Sequence, residues 1–207
     1  MRLPGRNLLS ILGILMIVAA LSSCATIHDI KVIYRLPPES NQLQGKKVFL
    51  DFKDARKNKS ILVGDAVDDF RNFSGNISFY LARDQENGFL IGLLDLRSIF
   101  MEAFDRRLED LGVAVVSDRD KGDMELVIVL KEFSLDLIDR KWTARMSYEA
   151  RAEKSGKILA TQTIQGEAER LKIYGQEQAN TVMSDVFTDS VNQLDVPKLF
   201  SDVAGRG

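Results

Sequence analysis

The sequence predicts an α+β fold, a two-layer sandwich in which two main helices pack on one face of a mixed, mostly antiparallel β-sheet. Two stretches, residues 92–111 and 176–194, place apolar residues at helical spacing. Between them, several stretches alternate apolar with polar residues, as half-buried strands do. Each amphipathic helix must bury one stripe, and one face of the sheet is the simplest surface for both.

The first residues have the order of a secretory signal peptide. Arg2 and Arg6 precede an apolar run of 14 residues from Leu8 to Leu21, and small residues follow. The run is shorter than the ~20 residues of a spanning helix. Residues 1–23 are therefore predicted to be a cleaved signal peptide.

Leu21-Ser22-Ser23-Cys24 resembles the lipobox of bacterial lipoproteins, an aliphatic residue and two small residues before a cysteine. The resemblance implies cleavage between Ser23 and Cys24 and lipid on Cys24, which would anchor the chain to a membrane. Several acyl chains hold a protein firmly, at ~0.8 kcal/mol per buried CH₂. Two alternatives are a plain signal peptide with a chance cysteine and an uncleaved anchor helix ending near Ile27. Ala25, where aspartate would signal retention, favours the outer membrane of a two-membrane cell, with the domain facing the periplasm.

The composition of the remaining 184 residues is that of one ordinary globular domain. The whole chain has a net charge of −2, and the signal segment holds two arginines and no acid, which leaves −4 for the rest. A mildly acidic domain has no electrostatic reason to bind nucleic acid. Cys24 is the single cysteine, so no disulfide can form within the chain.

Residues 24–45 are predicted to be a lipidated tether, because Pro37-Pro38 resists helix formation. The alternation of Ile30, Val32 and Tyr34 allows a short edge strand before the prolines. The first strand is predicted over Lys47–Asp54, and residues 65–88 are interpreted as a mobile loop with a short strand at Ile77–Leu81.

The helix over residues 92–111 ends at Gly112, as expected for a left-handed C-terminal cap. Its predicted buried stripe is Leu93, Leu96, Ile99, Phe100, Ala103, Phe104, Leu108 and Leu111.

Three long strands follow a short strand at Val113–Ser117. The first, Met124–Ile138, is apolar on both faces at Leu126–Leu130 and so should be central in the sheet. The second alternates strictly from Lys141 to Glu153, and the turn at 154–157 leads to the third. After the second helix, Pro197 marks the end of the pattern. Residues 46–201 are thus predicted to form a single domain, followed by a disordered tail at 202–207.

Catalytic and metal-binding patterns are absent from the sequence. The only histidine, His28, lies in the predicted tether, and Cys24 is expected to be blocked by lipid. Asp65, Asp68 and Asp69 lack the spacing of a calcium loop and are interpreted as a solvated acidic loop. The sequence predicts no catalytic, metal or cofactor site, and no enzyme.

Other conspicuous residues have ordinary structural interpretations. Gly92 is taken to begin a helix, Trp142 and Tyr148 to fill the core, and Glu149 and Glu153 to lie on a solvated sheet face.

The layout as a whole resembles the YajG-type lipoproteins of the bacterial envelope. The matching segments are Cys24, Asp54–Arg56, Ile61–Gly64, Arg107–Gly112, Leu126–Phe133, Lys141-Trp142 and the last helix with Val182, Val186, Phe187 and Val191. The resemblance implies a membrane-tethered α+β domain with no established reaction. A more distant likeness is to the auxiliary lipoproteins of ABC-type lipid transport.

Three functions are compatible with these observations. The first is a non-enzymatic module that binds another envelope protein. The second is an auxiliary subunit for lipid transport, which requires an apolar groove between the helices and residues 65–88. The third is an envelope hydrolase, which requires a buried serine, lysine or carboxylate pair with a strongly perturbed pKa.

Overall fold

The computed structural model describes residues 29–83 and 88–205. The described strands are β1 Ile30–Leu36, β2 Lys47–Asp54, β3 Ile77–Arg83, β4 Phe89–Leu94, β5 Ala114–Val115, β6 Met124–Ile138, β7 Lys141–Lys154 and β8 Lys157–Leu171. The described α-helices are α1 Ala66–Asp69, α2 Leu96–Asp110, α3 Glu177–Gln193 and α4 Val196–Ala204. The predicted α+β class is confirmed.

The larger sheet has the order β5-β2-β6-β7-β8. β2 is parallel to both of its neighbours, whereas β6, β7 and β8 form an antiparallel meander. Leu126–Leu130 in β6 are buried throughout, which confirms that this strand is central. A bulge between Leu130 and Glu132 shifts the register against β7.

The smaller sheet has the order β1-β3-β4, with β1 parallel and β4 antiparallel to β3. The sequence predicts one sheet, whereas the described strands divide between two. Both long helices, α2 and α3, contact both sheets. Because a helix can bury apolar residues on two sides, the two sheets share the helices as their common core.

Part of the predicted tether is folded. Ile30, Val32 and Tyr34 in β1 are fully buried, and β1 pairs along its whole length with β3. β1 is thus the edge strand that the alternation allowed, whereas its partner β3 is far away in sequence and could not be identified from local alternation. At the carboxyl-terminal end of the described chain, α4 continues to Ala204 and Val203 is buried. Residues 202–204 of the predicted tail are therefore helical.

Two further expectations for residues 65–94 are wrong. The short strand expected at Ile77–Leu81 is present within β3, but the residues before it form α1 and bury Phe70 where a mobile loop was expected. Gly92 lies in β4, and α2 begins only at Leu96. The Asp95 carboxylate caps this helix by accepting a hydrogen bond of 2.7 Å from the Ser98 N–H.

The core contains a cluster of aromatic rings that joins the layers. Phe187 of α3 lies with its ring centroid 5.8 Å from Tyr34 and from Phe79, 5.3 Å from Phe100 and 6.2 Å from Phe133. These four partners come from β1, β3, α2 and β6. Trp142 and Tyr148 are also fully buried, as predicted.

Candidate functional site

The predicted lipidation site lies outside the described residues. Ser23, Cys24 and His28 all precede Asp29. None of the helices in the described ranges is long and apolar enough to cross a membrane.

The acidic residues considered for a metal are not brought together. Asp65 precedes α1 without a capping hydrogen bond from its side chain, and Asp69 forms an ion pair with Lys172. Within residues 29–83 and 88–205, no three histidine, cysteine or carboxylate side chains are placed to hold a metal ion.

Two core tyrosines have pKa values above their ordinary value. Burial raises the pKa of Tyr34 and of Tyr148. Both hydroxyl groups make hydrogen bonds of 2.9 Å within the fold, to the Asn192 side chain and to the Ser190 carbonyl. These tyrosines therefore hold α3 against the sheets.

Carboxylate pKa values are shifted in both directions. Burial raises the pKa of Asp105 and of Glu125, and Glu125 forms an ion pair with Arg119 at 2.9 Å. Partial burial raises the pKa of Asp54, but hydrogen bonds from Arg56 and Lys59 outweigh it and bring the value to about 2. Hydrogen bonds from Arg151 and then Lys131 hold the pKa of Glu149 below its ordinary value against partial burial. The Asp54 contacts tie the end of β2 to the residues that follow it, and the Lys131–Glu149 pair joins β6 to β7.

The exposed face of the larger sheet is polar and crossed by ion pairs. Arg145 pairs with Glu167 at 3.0 Å, and Lys131 pairs with Glu149 at 3.2 Å. A depression of about 360 Å³ beside the β6 bulge is lined by Lys57, Lys131, Glu132 and Arg145 among others. Ala55, Val63 and Phe133 complete this lining, so it is mixed in character. The lipid-transport alternative requires an apolar groove beside residues 65–88; Phe70 and Phe79 of this segment are buried, with their rings against Trp142 and Phe187.

The free edges of the sheets differ in how they are protected. An unprotected edge exposes backbone N–H and C=O groups that can pair with another chain. On the outer edge of β1, the backbone N–H groups are bonded by side chains of α3. The bonds are Lys31 N to Asn180 Oδ1 at 2.9 Å, Ile33 N to Ser184 Oγ at 2.9 Å and Arg35 N to Thr188 Oγ1 at 3.2 Å.

The spacing of these bonds has a geometric reason. Four residues of α-helix rise ~6 Å, and two residues of a strand rise ~6.6 Å, so each fourth residue of α3 meets each second residue of β1. Thr188 Oγ1 also donates to the Ile33 carbonyl, and Asn192 Nδ2 donates to the Arg35 carbonyl. Side chains of α3 therefore occupy the hydrogen-bonding groups on the outer edge of β1.

The two outer strands of the larger sheet are protected in other ways. β5 has only two residues, too few to template a partner strand. β8 carries charged residues near its end, where Glu167 pairs with Arg145 and Arg170 pairs with Asp185 at 2.8 Å. Charges on an edge strand discourage pairing with another chain.

β4 lacks these protections. Five of its six residues pair with β3, and Ile91 forms a bulge in this pairing. On its other side the strand makes no backbone hydrogen bond to any part of the described chain. Phe89, Leu90 and Leu93 are between 52% and 65% exposed. We call these six residues the β4 edge. An apolar, unprotected edge strand is suited to binding an extended peptide as an added strand.

Sequence reasoning missed this edge although a signal was present. Asn87-Gly88 is a hairpin dipeptide that precedes the apolar run Phe89–Ile91, and Gly88 has a positive φ of 75°. The helical spacing of Leu93 with Leu96 concealed the strand, because Leu93 fits both patterns.

No protein-family model matches the chain, and no curated protein matches it. Among solved structures, protein XCC0632 from Xanthomonas campestris, assigned to the family DUF330, is similar with a TM-score of 0.52 and 16% identity. The match covers 84% of this chain and 98% of that one. A minor lipoprotein from Acinetobacter baumannii has a TM-score of 0.39 and 12% identity, over 78% of this chain and 92% of that one. The likeness to XCC0632 shows a shared fold.

Proposed function

We propose that this chain is a lipid-anchored lipoprotein of the bacterial cell envelope, and that its domain binds a protein partner along the β4 edge without catalysing a reaction. The proposal depends on the contrast between the two edges of the smaller sheet. Side chains of α3 bond the backbone of β1, whereas no side chain or backbone group of the described residues bonds the outer edge of the apolar strand β4.

The anchoring part of the proposal is supported by the sequence. The charged start, the apolar run and Leu21-Ser22-Ser23-Cys24 follow the order that lipoprotein processing requires. Ala25 supports placement in the outer membrane with the domain facing the periplasm. The resemblance to YajG-type lipoproteins is compatible with this placement.

The partner would add a fourth strand to the smaller sheet. Six residues of strand extend ~20 Å, enough for a short extended segment. Backbone hydrogen bonds to the outer edge would supply affinity, and apolar side chains packed against Phe89, Leu90 and Leu93 would supply specificity.

Site-specific crosslinking in intact cells tests the binding edge. A photoreactive amino acid at Leu90 should trap a defined partner band. The same group at Ile158 of β8, which is 54% exposed and thus matched in exposure, should not trap that band. If both positions trap the same proteins, or neither traps any, the β4 edge is not the binding site.

Charged substitutions provide a second test. Leu90→Lys should abolish recovery of the partner because edge lysines oppose strand addition. Ile158→Lys should leave recovery unchanged. Identification of the trapped protein as a component of an ABC-type transporter would support the auxiliary-subunit alternative for the same edge.

The anchor has its own test. Cys24→Ser should prevent both processing and acylation, so residues 1–23 stay attached, and mass spectrometry of the wild-type amino terminus should find acyl chains on Cys24. A variant that matures and fractionates like wild type would contradict the anchoring proposal.

A further inference from the structure

The chain enters the described fold beside the first turn of α3. β1 begins at Ile30, and the Lys31 N–H donates to Asn180 in that turn at 2.9 Å. Cys24 is five residues before Asp29, and five extended residues reach at most ~18 Å. A lipid on Cys24 would therefore hold this end of the domain close to the bilayer.

The same end carries exposed apolar side chains. The loop between β8 and α3 contains Ile173, which is 78% exposed, and Tyr174, which is 89% exposed. Leu171, at the end of β8, is also exposed. Exposed Val67 and Ile138 belong to elements that contact this region: Asp69 of α1 pairs with Lys172, and Ile138 is paired with Lys141, the partner of Leu171. We call Leu171, Ile173, Tyr174, Val67 and Ile138 the apolar pole.

Polar contacts hold the loop while its apolar side chains remain in solvent. The Lys172 N–H donates to the Arg140 carbonyl at 2.8 Å, and the Gln176 side chain donates to the Asp69 carbonyl at 2.6 Å. Lys172 also forms an ion pair with Asp69. These bonds join the loop to α1 and to the β6–β7 turn, so the elements that carry the apolar pole are neighbours at this end of the domain.

We propose that the apolar pole inserts into the headgroup region of the membrane that holds the acyl chains; this inference rests on the proposed lipid anchor. Tyrosine suits that position because its ring is apolar and its hydroxyl can remain hydrated. The nearby cations Lys172 and Lys141 pair with Asp69 and Glu169, so their charges add little to the attraction that the exposed apolar side chains have for the bilayer.

The short linker favours a lipid surface over a protein as the occupant. An anchor within ~18 Å of the fold leaves little room for a protein between the bilayer and this end. The fifteen residues of β8 run away from the pole for about 45–50 Å, which places the β7–β8 turn far from the lipid. The domain would thus stand with one defined end on the membrane.

Single-thiol labelling of the full-length acylated protein tests the inference. Cys24 is the only cysteine and its sulfur would carry lipid, so Tyr174→Cys provides one reactive thiol for an environment-sensitive fluorophore. Lys157→Cys, exposed at the far end of β8, is the matched control. Both proteins are reconstituted in vesicles of phosphatidylethanolamine and phosphatidylglycerol, and acylation and flotation are verified first.

We expect nitroxide-labelled lipid to quench the label at position 174 at least about twofold more than the label at 157, and aqueous iodide to show the reverse order. An acylated, floating protein whose label at 174 behaves like that at 157 would overturn this inference and leave the anchor intact. Absence of acyl chains and of flotation would overturn both. Shielding at 174 without quenching by lipid would show a protein contact, such as a second copy, and also overturn the inference.

Discussion

Replacement of Phe187 by alanine should remove most of the free energy of unfolding of the protein. Phe187 is fully buried, and its ring contacts Tyr34, Phe79, Phe100 and Phe133, which belong to both sheets and to α2. No partner comes from α3 itself, so the truncation removes contacts between layers. The cavity would lie where the two sheets share their helices.

The magnitude follows from burial and geometry. Phe→Ala substitutions in cores cost about 3–5 kcal/mol, and each edge-to-face ring pair adds ~0.5–1.5 kcal/mol that does not sum fully. We therefore expect a loss of ~4–5 kcal/mol in the free energy of unfolding. Domains are commonly stable by only ~5–15 kcal/mol, so the variant should be marginal.

Urea denaturation is the assay, followed by far-ultraviolet circular dichroism and by the fluorescence of Trp142. This is the only tryptophan and it is buried in the larger sheet, so it reports on that sheet while dichroism reports on the whole fold. Phe89→Ala is the control, because Phe89 is exposed and its truncation should change stability by less than ~0.5 kcal/mol. A loss below ~2 kcal/mol for Phe187→Ala, with unchanged denaturant dependence, would refute the role of this ring as the junction.

Three further substitutions probe the helix cover, the acid response and the packing of α3. Ser184→Ala removes the hydroxyl that bonds a β1 amide, so we expect a loss of ~1–3 kcal/mol and faster exchange of that amide by NMR; unchanged exchange would contradict the covered edge. Asp54 has a folded-state pKa of about 2, below its ordinary 3.8, so its stabilisation is complete above about pH 4 and lost as pH falls toward 2. The carboxylate is 30% exposed, so Asp54→Asn should remove only ~1 kcal/mol of the change in unfolding free energy between pH 4 and pH 2. If the urea midpoint of the variant depends on pH in this range as the wild-type midpoint does, the effect is excluded. Gly166→Ala would place Cβ 2.4 Å from Ser190 Oγ and should cost about 1–3 kcal/mol of unfolding free energy. In the control Gly92→Ala, the new Cβ meets only an ordinary contact at 3.5 Å. Equal melting temperatures for the two variants would show that α3 adjusts freely.

Local patterns in the sequence determined much of the fold. The spacing of Ile99, Phe100 and Ala103 predicts α2, and the strict alternation after Lys141 predicts β7 with Trp142 and Tyr148 inside; the structure buries all of these side chains. The lipobox at Cys24 is likewise a local pattern, and it remains a sequence prediction. Periodicity succeeds in such cases because a helix or a meander strand repeats its burial over neighbouring residues.

Only the tertiary structure decided how the strands divide and which edges stay open. β1 pairs in parallel with β3 across two intervening elements, and such a pairing leaves no local mark that identifies its partner. The β4 edge is open because α3 places Ser184 and its neighbours along β1, which is the opposite edge of the smaller sheet. Exposure of an edge depends on what the rest of the chain covers, and that is a property of the assembled layers rather than of any segment.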